Sequence, residues 1–159
     1  MKDNVRDFYD PGLELGNNIG IRGGNENANF YVSYGNVSSD GILPRAVDKY
    51  QRNTLAARGQ IRADKLTISA SMNYINKSGA TANTRDDGQG TSTFENIIQI
   101  ARDIPITDFK DYNNKFFNVD NYFTPYASNP YYSLFENGNK NQNDRVFGNV
   151  EIGYDISKV

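Results

Sequence analysis

Paired acidic side chains in the middle of the chain are the residues best suited to catalysis. Glu95 with Asp103, and Asp108 with Asp111, have the residue types that glycoside hydrolases use. That chemistry needs two carboxyl groups at a defined separation, and nothing in the sequence places either pair across a cleft. The chain contains no His and no Cys, which excludes histidine acid–base chemistry, thiol catalysis and cysteine metal sites. We therefore expect no enzymatic activity and no cofactor.

Two further motifs match ligand sites too loosely to predict one. Asp86-Asp87-Gly88 lacks the alternating spacing and the distant Glu of a calcium loop, so a solvated loop is favoured. Gly20, Gly23 and Gly24 precede no predicted helix, which removes the support for a dinucleotide site. A net charge of −2 without a basic stripe gives no indication of nucleic-acid binding. We expect no metal site and no nucleic-acid partner.

An aromatic segment at residues 116–135 is the strongest candidate for binding. Aromatic rings offer large, rigid contact surfaces for sugars or peptides. The alternative is that these rings pack the segment onto the rest of the protein, which is favoured because a long segment must bury apolar surface to be ordered. The candidate substrate-binding residues are Phe116, Phe117, Tyr122, Tyr126, Tyr131 and Tyr132.

The elements that must position these residues are predicted to be β-strands. Residues 145–156 alternate between apolar and charged side chains for a dozen positions, which is the period of an extended strand with two different faces. The same alternation recurs in four earlier segments. The five predicted strands are 18–23, 28–37, 50–62, 66–75 and 145–156. Charged residues of the polar faces could line a solute path or form a salt-bridged network, and these are Arg58, Arg62, Arg145, Glu151 and Asp155.

The predicted connections alternate between short and long. Residues 23–27 and 63–65 are tight turns, whereas residues 77–143 form one long loop. Within that loop, a capping box formed by Ser92 and Glu95 predicts a helix over 93–102, which Pro105 ends. The organisation is therefore 1–17 as a connection, 18–76 as four strands, 77–143 as the loop, and 144–159 as the fifth strand.

The polarity of the chain excludes helical membrane spans but fits a β-barrel. Mean hydropathy is −0.71, and no segment approaches the roughly 20 apolar residues that a spanning helix needs. In a barrel only every second residue faces lipid, and tight turns alternate with long external loops. We predict an all-β fold: part of a transmembrane antiparallel β-barrel of about five strands, with one long loop carrying a short helix. The N-terminus has no apolar signal segment, so we expect an internal piece or a truncated reading frame.

The order of features resembles the SusC/RagA family of TonB-linked outer-membrane transporters of Bacteroidetes-type bacteria. The matching segments are Asn-Val-Arg-Asp-Phe-Tyr-Asp-Pro-Gly at 4–12, Ile-Gly-Ile-Arg-Gly-Gly-Asn-Glu at 19–26, Ala-Asn-Phe-Tyr-Val-Ser-Tyr at 28–34, Asp-Gly-Ile-Leu-Pro at 40–44, Ala-Arg-Asp-Ile-Pro at 101–105, Asn-Pro-Tyr-Tyr at 129–132 and Asp-Arg-Val-Phe-Gly-Asn at 144–149.

The resemblance implies a fragment covering the start of the barrel of a TonB-dependent importer. Its partners would be the TonB complex, a SusD-like surface lipoprotein, a glycan or peptide substrate, and lipid of the Gram-negative outer membrane. The family is far larger than this chain, with a plug and many more strands. An alternative from another class is a soluble β-sandwich carbohydrate-binding module, which the richness in Tyr, Asn and Gly fits equally well.

Overall fold

The described residues form five antiparallel β-strands in one sheet, together with a few short helices. The computed structural model describes residues 3–82, 92–116 and 127–156. The strands follow the chain order in the sheet, so each is paired with its neighbour in sequence. The strands are β1 (Leu13–Gly24), β2 (Ala28–Asp40), β3 (Tyr50–Ala63), β4 (Leu66–Thr81) and β5 (Asn139–Tyr154). The helices are α1 (Asn4–Phe8), α2 (Thr93–Ile98) and α3 (Pro130–Glu136), with 3-10 turns at Pro44–Ala46 and Ile106–Lys110.

The prediction of an all-β protein with five strands is confirmed. The connections also alternate as predicted: residues 25–27 and 64–65 join strands at one end of the sheet, and residues 41–49 and 82–138 join them at the other. Gly24 (φ 151°) and Asp64 (φ 52°) adopt positive φ at the short turns, where Gly and Asp tolerate it. The described strands leave β1 and β5 at the two edges of the sheet, which is not closed.

The strands are longer than the sequence predicts. They contain 12 to 16 residues, β1 begins at Leu13 instead of 18, and β5 begins at Asn139 instead of 145. Residues 139–144 are Asn-Lys-Asn-Gln-Asn-Asp, so they have no apolar alternation to reveal a strand. Pairing with the neighbouring β4, rather than a buried face, extends the strand here.

Side chains alternate between two faces of the sheet, which we name the apolar face and the polar face. On the polar face lie Ser, Thr, Asn and charged residues such as Arg58 and Glu151. The apolar face carries exposed hydrophobic side chains on every strand, and Val150, for example, is 71% exposed. These side chains are Leu15, Ile19, Ile21, Phe30, Val32, Tyr34, Leu55, Ile61, Ile68, Met72, Tyr74, Val146, Val150, Ile152 and Tyr154.

The chain divides into two compact units. One contains Met1–Leu13, Ser39–Lys49 and Gly79–Lys140, and the other contains the remaining parts of the strands. We name the first the loop unit and the second the sheet unit. The predicted connection 1–17 is therefore not one element, because α1 belongs to the loop unit and β1 to the sheet.

Among the described residues, a buried hydrophobic core lies in the loop unit. Its core residues are Phe8, Ala82, Ile97, Ile100, Ile106, Phe109, Ala127, Tyr131 and Leu134. The buried amide of Asn4 satisfies two backbone groups within it. Asn4 donates to the Ile104 carbonyl (3.0 Å) and accepts from the Ile106 amide (3.1 Å). Burying apolar side chains from separate segments stabilises this unit without long helices or strands.

Helix α2 is shorter than predicted and buries a different face. The capping box of Ser92 and Glu95 is confirmed, but the helix ends at Ile98 rather than 102. The Ile100 amide then bonds to the Ile97 carbonyl, a tighter turn that carries Ile100 into the core. Phe94 and Ile98 are exposed, although their spacing predicts burial with Ile97. No helix in the described ranges is long and apolar enough to cross a membrane.

Candidate ligand-binding surface

Helix α3 presents aromatic residues on the surface of the loop unit. Pro130 opens the helix and Asn129 caps it, because its Oδ1 accepts from the amides of Tyr131 (2.9 Å) and Tyr132 (3.4 Å). Asn129 also donates to the Phe109 carbonyl at 3.0 Å, which fixes the start of the helix against the core. Tyr132 and Phe135 are three residues apart and share the partly buried face of the helix.

Tyr112 joins these two rings into a cluster. Its ring centroid lies 5.6 Å from that of Tyr132, in an edge-to-face arrangement, and 6.2 Å from that of Phe135. The Tyr112 hydroxyl donates to Glu136 at 2.6 Å. The hydrogen bond to Glu136 is the main cause that raises the pKa of Tyr112, and Arg45 opposes the rise. We name Tyr112, Tyr132, Phe135, Glu136 and Arg45 the aromatic cluster.

Arg45 comes from the distant loop between β2 and β3. Its guanidinium carbon lies 4.3 Å from the centroid of the Phe135 ring, within the range of a cation–π contact. Arg45 and Ala46 both have positive φ, at 59° and 52°. Such backbone is costly for non-glycine residues. A cavity of about 290 Å³ lies beside it, lined by Arg45, Lys110, Asp111, Tyr112 and Asn113.

The aromatic residues predicted to bind substrate have different surroundings. Tyr132 belongs to the aromatic cluster. Tyr131 is fully buried, and its ring centroid lies 4.9 Å from that of Phe8. It therefore packs in the core, which is the packing role considered as the alternative to binding. Phe116 is 69% exposed and contacts Lys115, with the Lys115 Nζ 5.7 Å from the ring centroid. Phe117, Tyr122 and Tyr126 lie outside the described residues.

Sequence reasoning did not single out Arg45, Tyr112, Phe135 or Glu136, although Phe135 lies at the end of the predicted aromatic segment. The pair Asn129-Pro130 is a helix start signal, and reading it would have placed Tyr132, Phe135 and Glu136 on one short helix. No local signal connects Arg45 with that helix, because the contact joins residues far apart in sequence.

Among the other residues considered for chemistry, Asp111 lines the cavity beside Arg45, whereas Glu95 and the first glycines have structural roles. Glu95 accepts from the Ser92 amide at 2.6 Å in the capping box. Gly23 and Gly24 lie at the first hairpin, where the Phe30 ring covers Gly23. Within residues 3–82, 92–116 and 127–156, no group of three acidic or other metal-ligating side chains is assembled. Asp86, Asp87 and Gly88 lie outside the described residues.

A second surface, on the sheet unit, has a polar row along the border of the apolar face. The Tyr34 hydroxyl donates to Asn53 (2.8 Å), and the Tyr74 hydroxyl donates to Asp144 (2.6 Å). Asn36 bonds to the same Asn53 oxygen, at 2.7 Å. Asn76 bonds to the same Asp144 oxygen, at 2.8 Å. Two tyrosines therefore stand at one level, with a row of amides and a carboxylate beyond them.

The polar face contains cation–aromatic contacts. The Arg58 guanidinium lies 4.6 Å from the Tyr31 ring centroid, and the Arg145 guanidinium lies 5.0 Å from that of Phe147. Ser71 also donates to Asn149 across β4 and β5. Arg58 and Arg145, which make these contacts, are two of the five charged residues that could line a solute path or form a salt-bridged network.

No protein-family model matches the sequence, and no curated protein matches it. The resemblance to SusC/RagA transporters therefore stays a prediction based on the segments quoted above.

Proposed function

We propose that this chain forms part of the barrel wall and the extracellular surface of a TonB-dependent outer-membrane importer of glycans or peptides. The observation that carries the proposal is the apolar face of the sheet. A face of Ile, Val, Leu, Met and Phe that is exposed on all five strands is costly in water, whereas contact with lipid makes it favourable.

Strand length supports the same conclusion. A strand that crosses a bilayer obliquely needs about 9–11 residues, and these strands have 12 to 16. The excess residues lie beyond Tyr34 and Tyr74, where Asn36, Asn76 and Asp144 would contact the headgroups and water. Tyrosines at the border of an apolar band are typical of the aromatic girdle of outer-membrane barrels.

In this proposal, further strands pair with the open edges of the sheet and complete the wall. In the hydrocarbon core each unpaired backbone group costs several kcal/mol, so β1 and β5 both need a partner there. The proposed importer supplies these strands, as well as the regions that contact the TonB complex. All described strands belong to this one sheet, which favours a wall over the sandwich of a carbohydrate-binding module.

The loop unit supplies the extracellular surface in this proposal. The short turns would face the periplasm, and the long connections that build the loop unit would face outside. The aromatic cluster would then contact the glycan or peptide substrate, and the SusD-like lipoprotein would contact the same side.

Insertion into lipid vesicles tests the proposal with two variants of one strand. Met72→Arg places a charge on the apolar face of β4. Asn73→Arg, at the next residue of the strand, places the same charge on the polar face. We expect Met72→Arg to weaken insertion by about 2–4 kcal/mol and Asn73→Arg to have little effect. Equal effects of the two variants would contradict the proposal. A cooperative melt of the wild-type chain in lipid-free buffer would instead favour the carbohydrate-binding module.

A further inference from the structure

The cavity beside Arg45 combines the features of a site for one sugar unit with a carboxylate. Its volume of about 290 Å³ lies near the lower limit of small-molecule pockets. The lining brings two cations, Arg45 and Lys110, together with the polar groups of Asp111, Tyr112 and Asn113. All of these residues belong to the loop unit.

The Arg45 guanidinium places N–H donors in the lining of the cavity. Its central carbon lies 4.3 Å from the centroid of the Phe135 ring, and the guanidinium also interacts with the Tyr112 hydroxyl, where it opposes the rise in the pKa of Tyr112. A planar fork of donors matches a carboxylate with two parallel hydrogen bonds. The nearby Glu136 carboxylate accepts from the Tyr112 hydroxyl.

The remaining groups suit a sugar ring better than a simple anion. The half-exposed rings of Tyr112 and Tyr132 meet edge to face and offer an apolar surface beside the cavity. The Asp111 carboxylate and the Asn113 amide are acceptors and donors for hydroxyl groups. The negative charges of Asp111 and Glu136 also offset the positive charges of Arg45 and Lys110, so a highly charged anion would gain little electrostatic attraction. A sugar ring with one carboxylate and several hydroxyls would instead find a partner for each of its groups.

We infer that this cavity binds a uronic acid unit, and that the ligand of the loop unit is an acidic glycan. This inference rests on the proposed import function for its general substrate class. In it, Arg45 pairs with the sugar carboxylate, Lys110 adds a second positive charge, and Tyr112 with Asn113 contacts the ring and its hydroxyls.

Calorimetry with the full chain in micelles tests this inference with three probes: trigalacturonic acid, its fully methyl-esterified form, and an acidic tripeptide. The ester keeps the ring and removes the charge. We expect the acid to bind at least about 10-fold more tightly than the ester, because a charge-assisted hydrogen bond is lost. Arg45→Gln should weaken binding of the acid by a similar factor and leave binding of the ester unchanged.

The control is Arg6→Gln, which removes a cation of the same unit from the exposed side of α1. Arg6→Gln should leave the affinity for the acid unchanged. Arg45→Lys should lower that affinity by less than Arg45→Gln does, because Lys keeps the charge but loses the planar fork of donors. Equal affinity for acid and ester, or an unchanged affinity in Arg45→Gln, would overturn the inference, as would tight binding of the peptide alone. Selective binding of the acid by a chain that does not insert into lipid would support this site and reject the proposed function.

Discussion

The Tyr74 hydroxyl lies 2.6 Å from the Asp144 carboxylate, on the face of the sheet that otherwise carries Ile68, Met72, Val146 and Val150. This hydrogen bond joins β4 to β5 where the apolar side chains end. The aromatic ring of Tyr74 lies with the apolar residues, and its hydroxyl lies with the polar row. This arrangement is expected for a residue at a boundary between two solvents. The apolar face thus has a definite limit within the length of the strands.

Removing the buried Asn4 side chain should destabilise the loop unit. Asn4→Ala would leave the Ile104 carbonyl and the Ile106 amide without their hydrogen bonds, at an expected cost of about 2–4 kcal/mol. Denaturant unfolding of the full chain, followed by hydrogen exchange of the Ile106 amide, measures the effect. The neighbouring Val5→Ala is the control, since Val5 is partly exposed and should cost less than about 1 kcal/mol. Similar losses for both variants would refute the role given to the Asn4 amide.

Replacing Tyr131 by Phe should maintain or slightly raise stability. The Tyr131 hydroxyl is buried and has no hydrogen-bond partner among the described residues, so Tyr131→Phe removes an unsatisfied polar group while the ring still fills the core. Tyr131→Ala should instead cost about 3–5 kcal/mol, because it leaves a large cavity. A clear loss of stability in Tyr131→Phe, measured by thermal melting, would mean that the hydroxyl has a partner.

The same residue predicts a loss of stability at alkaline pH. Burial, with a contribution from Asp10 and Asp7, raises the pKa of Tyr131 above its ordinary value of 10.0. The folded protein therefore holds this proton when the unfolded chain releases it. The free energy of unfolding should be unaffected below pH about 10 and should fall as the pH rises above that value. Melts between pH 8 and about pH 11 should show a smaller fall in Tyr131→Phe, and an identical fall would exclude Tyr131 as a source.

Gly148 should be intolerant of a side chain, whereas Gly153 on the same strand should accept one. A Cβ at Gly148 would overlap the Ser71 carbonyl oxygen of β4, whereas a Cβ at Gly153 would meet Thr67 at ordinary contact distances of 3.9–4.0 Å. Gly148→Ala therefore forces β4 and β5 apart and should cost about 1–3 kcal/mol. Gly153→Ala should change the midpoint of unfolding little. Equal midpoints for the two variants would disprove the close approach at Gly148.

The sheet was predictable from sequence because each strand and each short turn is specified by residues that are adjacent in the chain. Alternation in residues 66–75 and 145–156 reports which side chains share a face, and Gly24 and Asp64 report the turns. The ends of the strands were not predictable, because residues 139–144 are uniformly polar and are placed by pairing with β4. Backbone pairing leaves no hydropathy pattern.

The loop unit was largely unpredictable, since its contacts join segments that are distant in sequence. The capping box at Ser92 correctly marks where α2 begins, but a tertiary contact at Ile100 decides where it ends. Tyr131 and Tyr132 are identical in type and adjacent, yet one is buried and the other contributes to the aromatic cluster. Their helix decides this, and only its start signal at Asn129-Pro130 was visible in the sequence.

Single-tryptophan variants of β4 in lipid vesicles test the central claim most directly, because the chain contains no Trp. Ile68→Trp and Met72→Trp place the fluorophore on the apolar face, Ser69→Trp and Asn73→Trp place it on the polar face, and Tyr74→Trp places it at the proposed border. We expect blue-shifted emission and strong quenching by lipid-borne quenchers at 68 and 72, weaker quenching at 74, and emission typical of water at 69 and 73. Quenching that does not alternate along the strand would contradict the proposal that this sheet is part of a membrane wall.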